Sequence, residues 1–218
     1  LQAIFNQFAA ETNAPVMTVD AEGVRRWTVN GKAHRDDGPA LEYPDGTKVW
    51  FQFGMRHRAD GPAVEYANGD KIWMINDKQH REGGPAVESK LNVQWFVHGK
   101  LHRIDGPAVV YSAGTKEWWV NGEKHRTGAP AVEHSDGSTE WWKNGVQHRE
   151  DGPAVEWAAD EDLKQWYLNG QEFSEAEYKT ELCKLGEIKR QENTALMSSV
   201  RKGTQAQVKA PALARFRK

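Results

Sequence analysis

The dipeptide His-Arg recurs six times at almost constant spacing, and no other feature restricts the fold so strongly. It stands at His34-Arg35, His57-Arg58, His80-Arg81, His102-Arg103, His125-Arg126 and His148-Arg149, separated by 23, 23, 22, 23 and 23 residues. A fixed period of this length is the signature of a repeat architecture, in which one small supersecondary unit is stacked on copies of itself. Each copy carries the same frame. A Trp precedes the His by seven residues (Trp27, Trp50, Trp73, Trp95, Trp118, Trp141), and a Pro follows it by five (Pro39, Pro62, Pro85, Pro107, Pro130, Pro153). After the Pro come Ala, an aliphatic residue and then Glu, with Val110 in the Glu position of the fourth copy. Trp166 and Asn169-Gly170 open a seventh copy that has no His-Arg.

The local chemistry predicts two strands per unit. Pro-Ala-Val-Glu-Tyr has two-residue periodicity behind a proline, which a strand tolerates at its first position. Asp45-Gly46, Asn68-Gly69 and Asp136-Gly137 supply the turn, and the second strand carries the Trp, as in Lys48-Val49-Trp50-Phe51. On a continuous strand Trp73 and Ile75, or Trp95 and Val97, share one face, while Phe51, Phe96, Trp119, Trp142 and Tyr167 point to the other. The expectation is a mainly β fold of about 12 to 14 strands in one elongated, single-layer antiparallel sheet, six units spanning about 60 Å at ~4.8 Å per strand. Low apolar content (38%) with ten Trp and twenty Gly agrees with many short elements anchored by large rings. One copy is a residue short, at Ser89-Lys90-Leu91-Asn92, which predicts a different hairpin turn there.

This hairpin-per-repeat pattern, with a ring on the second strand and Asn-Gly behind it, resembles the MORN repeat. The His-Arg-x-Asp-Gly-Pro-Ala form is similar to a MORN-like subgroup met in bacteriophage, giant-virus and bacterial reading frames. The resemblance covers roughly residues 24 to 170. It departs from the Tyr- and Gly-rich MORN pattern, so lipid binding is not carried over. What it implies is a scaffold or binding protein, with antitoxin-like partners in some bacterial relatives.

The expected organisation is an N-terminal cap (1–22), the repeat array (23–172), a C-terminal helix (173–200) and a basic tail (201–218). Ile4, Phe5 and Phe8 fit one face of a short helical cap. Ser174 with Glu177 forms a capping box, and Tyr178, Leu182, Leu185 and Ile188 follow helical spacing, so a helix from about 175 to 190 or beyond should dock on the last repeat. From Lys184 to Lys218 there are nine Lys and Arg against Glu187 and Glu192, a net of +7, which leaves −9 for the remainder of a chain whose total is −2. Such asymmetry points to a partner for the tail, and Arg201, Lys202, Lys209, Arg215, Arg217 and Lys218 are its candidate contacts.

Six His-Arg pairs invite a metal or catalytic reading. Equivalent residues of adjacent units lie two strands apart, about 10 Å, which is too far for histidines to share a zinc ion. A structural role is expected instead: His and Asp satisfy the loop backbone, and each Arg stacks on a Trp or pairs with the Glu after Pro-Ala. Gly83 and Gly128 replace the Asp in two copies. Cys183 has no nearby His in sequence, and no nucleophile-elbow, Walker or dinucleotide motif is present. No catalytic residue, metal, cofactor or small-molecule substrate is therefore expected. Rings with interleaved Lys resemble a single-strand nucleic-acid platform, but the −9 body opposes that and leaves only the tail for such a contact.

With one cysteine, no apolar run of membrane-spanning length and no signal-peptide pattern, the expectation is a soluble protein of a reducing compartment, cytoplasmic or virion. The chain opens on Leu, which fits a processed product and equally a non-standard start. The function expected is a non-enzymatic scaffold in a larger, phage virion-type assembly. It would meet other protein subunits, or nucleic acid, through the tail and the repeat surface. The rivals are an antitoxin-like inhibitor of a protein target and an enzyme of unknown class.

Overall fold

The computed structural model describes residues 14–207. These form 26 strands, sixteen of them in one long antiparallel sheet, followed by a helix, α1, over Glu175–Gln207. Each repeat gives the long sheet two short strands. Val64–Glu65 with Lys71–Ile72 is one such pair, and Val132–Glu133 with Thr139–Glu140 another. The strand order follows the chain from Val16–Val19 to Gln171–Phe173 without closing on itself, so the array is an open meander.

The second strand of each central unit is not continuous, contrary to the sequence reading. It stops at Lys48–Val49 and resumes at Phe51–Gln52, with Trp50 between, and the same break falls at Trp73, Trp95, Trp118 and Trp141. The Trp backbone is a junction. Its N–H donates to the carbonyl of the buried Ala after the Pro of its copy (Trp50 to Ala63, 2.8 Å), and its carbonyl accepts from the His of the same copy (His57 to Trp50, 3.1 Å). Beyond the break the chain makes a second small hairpin, for example Met74–Ile75 with Lys78–Gln79. Its two-residue turn has positive φ at both positions, such as 54° at Asn121 and 87° at Gly122, which is the chemistry of a type I′ turn. Asn-Gly therefore turns a hairpin and does not merely close a strand. Backbone hydrogen bonds link these hairpins in series, Gly99 to Gln79 at 2.8 Å and Gly122 to Leu101 at 2.8 Å among them. The array is thus one long sheet with a row of small hairpins linked in series alongside it.

Directly paired residues share a sheet face, so the register defines two rows. One runs Leu41, Val49, Val64, Ile72, Val87, Gln94, Val109, Glu117, Val132, Glu140, Val155, Gln165. Its first half is the apolar core, where Leu41, Val49, Ala63, Val64 and Met74 are buried and Phe51 and Ile72 pack against them. In its second half Glu117 and Glu140 accept hydrogen bonds from the Trp119 and Trp142 indole N–H groups, each at 2.8 Å, which allows two largely covered carboxylates to sit on that face. The opposite row begins Arg25, Glu42, Lys48, Glu65, Lys71, Glu88, an alternation of charge that favours each cross-strand pair, and is interrupted by Val93 opposite Val110.

The ends differ from the expectation in two respects. Within the span assigned to an N-terminal cap, Val16–Val19 is a strand paired with Arg25–Val29, while Ile4, Phe5 and Phe8 lie outside the described residues. The C-terminal helix is longer than the 173–200 segment and runs through Arg201 and Lys202 to Gln207, since no proline interrupts it before Pro211. The short turn at Ser89 is closed by its own hydroxyl, which accepts from the Leu91 and Asn92 N–H groups at 3.3 and 3.1 Å. No helix among the described residues is long and apolar enough to cross a membrane.

Candidate functional site

The chemistry-bearing residues of the repeat gather at the loop between its second hairpin and the next strand. All six repeat arginines lie over the Trp of their own unit, the guanidinium carbon 3.7 to 4.3 Å from the ring centroid for Arg35 on Trp27, Arg58 on Trp50, Arg81 on Trp73, Arg103 on Trp95, Arg126 on Trp118 and Arg149 on Trp141. A partly covered cation over an indole is worth roughly 0.5–2 kcal/mol. The exposed edge of each guanidinium then takes up to two carboxylates. Nε donates to the loop Asp at Asp37, Asp60, Asp105 and Asp151, at 2.8 to 3.0 Å. NH1 faces the Glu after Pro-Ala, as in Arg58–Glu65 (3.0 Å), Arg81–Glu88 (2.6 Å) and Arg126–Glu133 (2.7 Å). Stacking on Trp and pairing with Glu, offered as alternatives by the sequence, occur together. Bonding to Arg35 and Arg103 holds the Asp37 and Asp105 carboxyls below the usual carboxylate range.

The Gly before each Pro has a steric reason. A Cβ on Gly61 or Gly152 would stand 2.8 Å from the guanidinium carbon of Arg58 or Arg149, inside contact distance of a group already pinned between a ring and two carboxylates. The fifth copy carries Ala129 at this position, and there the preceding Gly128 takes a left-handed φ of 73°.

The histidines join one unit to the next. Nδ1 of His34, His80, His102, His125 and His148 accepts the backbone N–H of the left-handed turn residue in the following hairpin, Phe53, His98, Asn121, Asn144 and Asn169, at 3.0 to 3.3 Å. That bond assigns the proton to Nε2, which in His148 faces Glu150 at 3.3 Å. His57 differs, its Nδ1 facing the Asn76 side-chain oxygen at 2.8 Å. Where the turn residue is itself a ring, it stacks on the His: Phe53 on His34 at 4.3 Å and His98 on His80 at 4.4 Å. These inter-unit bonds were not legible in sequence, because a turn N–H leaves no residue signature.

The helix seats itself on the unit that has no Arg. Trp166 receives Tyr178 of α1, with ring centroids 4.8 Å apart, in place of a guanidinium. The Tyr178 hydroxyl donates to the Arg149 carbonyl at 2.8 Å and accepts from the Gly152 N–H at 3.3 Å, and burial pushes its pKa up. Ser174 and Glu177 form the capping box, and Lys189 bonds Glu150 at 2.7 Å, a contact that holds the Glu150 carboxyl below its ordinary range. Every residue from Glu187 to Met197 is exposed, and the helix leaves the body past the Lys189–Glu150 contact. Cys183 is exposed on it. Of the candidate tail contacts, Arg201 and Lys202 fall on α1, and Lys209, Arg215, Arg217 and Lys218 lie outside the described residues. Among the described residues no three His, Cys, Asp or Glu come together in a metal-holding group. No protein-family model and no curated protein matches the chain.

Proposed function

We propose that this chain is a non-enzymatic interaction scaffold, a rod-like component of a larger protein assembly that docks through its basic C-terminal segment and its repeat surface. One observation carries the reading. The Trp, Arg and His side chains that could serve chemistry recur in the same contacts in copy after copy, where they build the array. What distinguishes one end of the molecule is a helix that departs from the body and leads into the basic segment. Such an arrangement presents an extended surface and a separate attachment arm, which suits a virion-type structural component. The resemblance to MORN-like arrays supports the same class of role.

The test is light scattering with mass spectrometry on natively purified full-length chain and on a version ending at Ile188. A multi-protein particle for the full chain, from which the shortened version is absent, is the expected result. Lone monomers for both would sink the assembly reading.

A further inference from the structure

The two ends of the long sheet are finished differently. At the C-terminal end α1 is seated against the last strands, with Tyr178 packed on Trp166. At the other end the strand order begins with Val16–Val19, which pairs with Arg25–Val29 along one edge only. The register decides which backbone groups its outer edge presents. Trp27, opposite Met17, donates to the Ala40 carbonyl and accepts from the His34 N–H, both on the side away from Val16–Val19. Directly opposed residues of an antiparallel pair turn their N–H and C=O either both towards each other or both away. The N–H and C=O of Met17, and of Val19 two residues on, therefore point out of the sheet edge, while Asp20 donates inward to Val24 at 3.2 Å. Among the described residues no hydrogen bond reaches these outward groups. Edge strands are ordinarily guarded by a charge, an internal proline or a bulge. Val-Met-Thr-Val has none of these, and its register with Arg25–Val29 is unshifted. Met17 and Val19 share one face and are 47% and 57% exposed.

We infer that Val16–Val19 is a self-association edge, on which a second copy of this chain adds its own Val16–Val19 antiparallel, about a two-fold axis at Thr18. The inference stands independently of the scaffold reading above. One register satisfies the edge completely. Met17 opposite Val19 of the second copy, and Val19 opposite its Met17, exchange N–H···O bonds that engage every outward group of both strands. An axis through Met17 would instead set Val19 against Pro15, which has no N–H, and one through Val19 would run Met17 against Ala21 in the turn. The register at Thr18 also gathers the exposed Met17 and Val19 side chains of both copies on one face and sets Thr18 against Thr18 on the other, a favourable sheet pairing. What selects a second copy as the occupant is this complementarity of the strand to itself. Asp20 falls opposite Val16, so no like charges face each other across the axis, and nearby Asp20 and Glu22 balance Arg25 and Arg26. The product is one continuous antiparallel sheet, closed by symmetry, with α1 at both far ends.

A four-residue edge makes a small interface, so the pairing is reversible, and sedimentation of the full-length chain from about 1 to 500 µM should show monomer passing to dimer. Amide exchange at Met17 and Val19 should slow as the concentration rises. T18E and T18K each set like charges against one another on the axis, and each should dimerise about tenfold more weakly than their equimolar mixture, in which Glu meets Lys. Arg26 stands opposite Thr18 within the chain, so recovery in the mixture also shows that neither variant has lost its fold. A chain that is monomeric at the highest concentration overturns the proposal, and slow exchange at Met17 and Val19 in that monomer assigns the edge to the chain's own N-terminal segment. A dimer indifferent to both variants, or weakening that the mixture does not relieve, overturns it as well, because the contact then lies elsewhere.

Discussion

At the scale of single residues, the loop Gly and the stacked Arg depend on each other. In the second unit a Cβ on Gly61 reaches the Arg58 guanidinium at 2.8 Å, so G61A must push the cation off Trp50 or shift the backbone. The expected loss is about 1 kcal/mol, the value of a partly covered cation–π contact, read from the urea midpoint. The fifth unit carries Gly128-Ala129 at these positions, with Gly128 at a left-handed φ of 73° and Arg126 still 3.7 Å from Trp118. The double variant D60G/G61A should therefore recover part of what G61A loses. A double variant no more stable than G61A would show that the fifth unit's loop geometry does not transfer.

Elements in this fold are too short to be stable alone, and what fixes them is the contact at the Trp break. Two-residue strands offer few ladder bonds, so each unit depends on its Trp N–H reaching the carbonyl of the Ala after its Pro and on the His bond to the next turn. The six alanines Ala40, Ala63, Ala86, Ala108, Ala131 and Ala154 are all fully buried. Each is covered from solvent where the long sheet meets the hairpin row. A108V should cost about 1–3 kcal/mol through overpacking, although Val is the better strand former and would be favoured by propensity alone. Chemical denaturation decides between them, and a neutral or stabilising result would mean that the junction is looser than its burial indicates.

Across the whole molecule, stability should be a sum of unit terms and nearest-neighbour terms, so damage at one end stays local. Tyr178 provides the cleanest case. Y178F keeps the ring against Trp166 but removes the hydroxyl that bridges Arg149 and Gly152, at an expected cost of about 1–2 kcal/mol. Amide exchange should then lose protection around Trp141 and Trp166 while the Trp50 amide keeps its own. A uniform loss along the array would instead indicate one all-or-none unit.

The sequence by itself determined the period, the unit count, the first hairpin of each unit and the capped C-terminal helix. Each of these is written locally, in repeated residues, turn pairs and apolar spacing. Even the stacking of Arg on Trp could be reached from a fixed eight-residue separation in chain. The tertiary structure alone decided that the Trp strand breaks and that the Asn-Gly pair turns a second hairpin. Both depend on partners distant in the chain: the Trp N–H goes to the carbonyl of the Ala after Pro, and the turn N–H to the His ring of the preceding unit, which draws them out of a straight ladder.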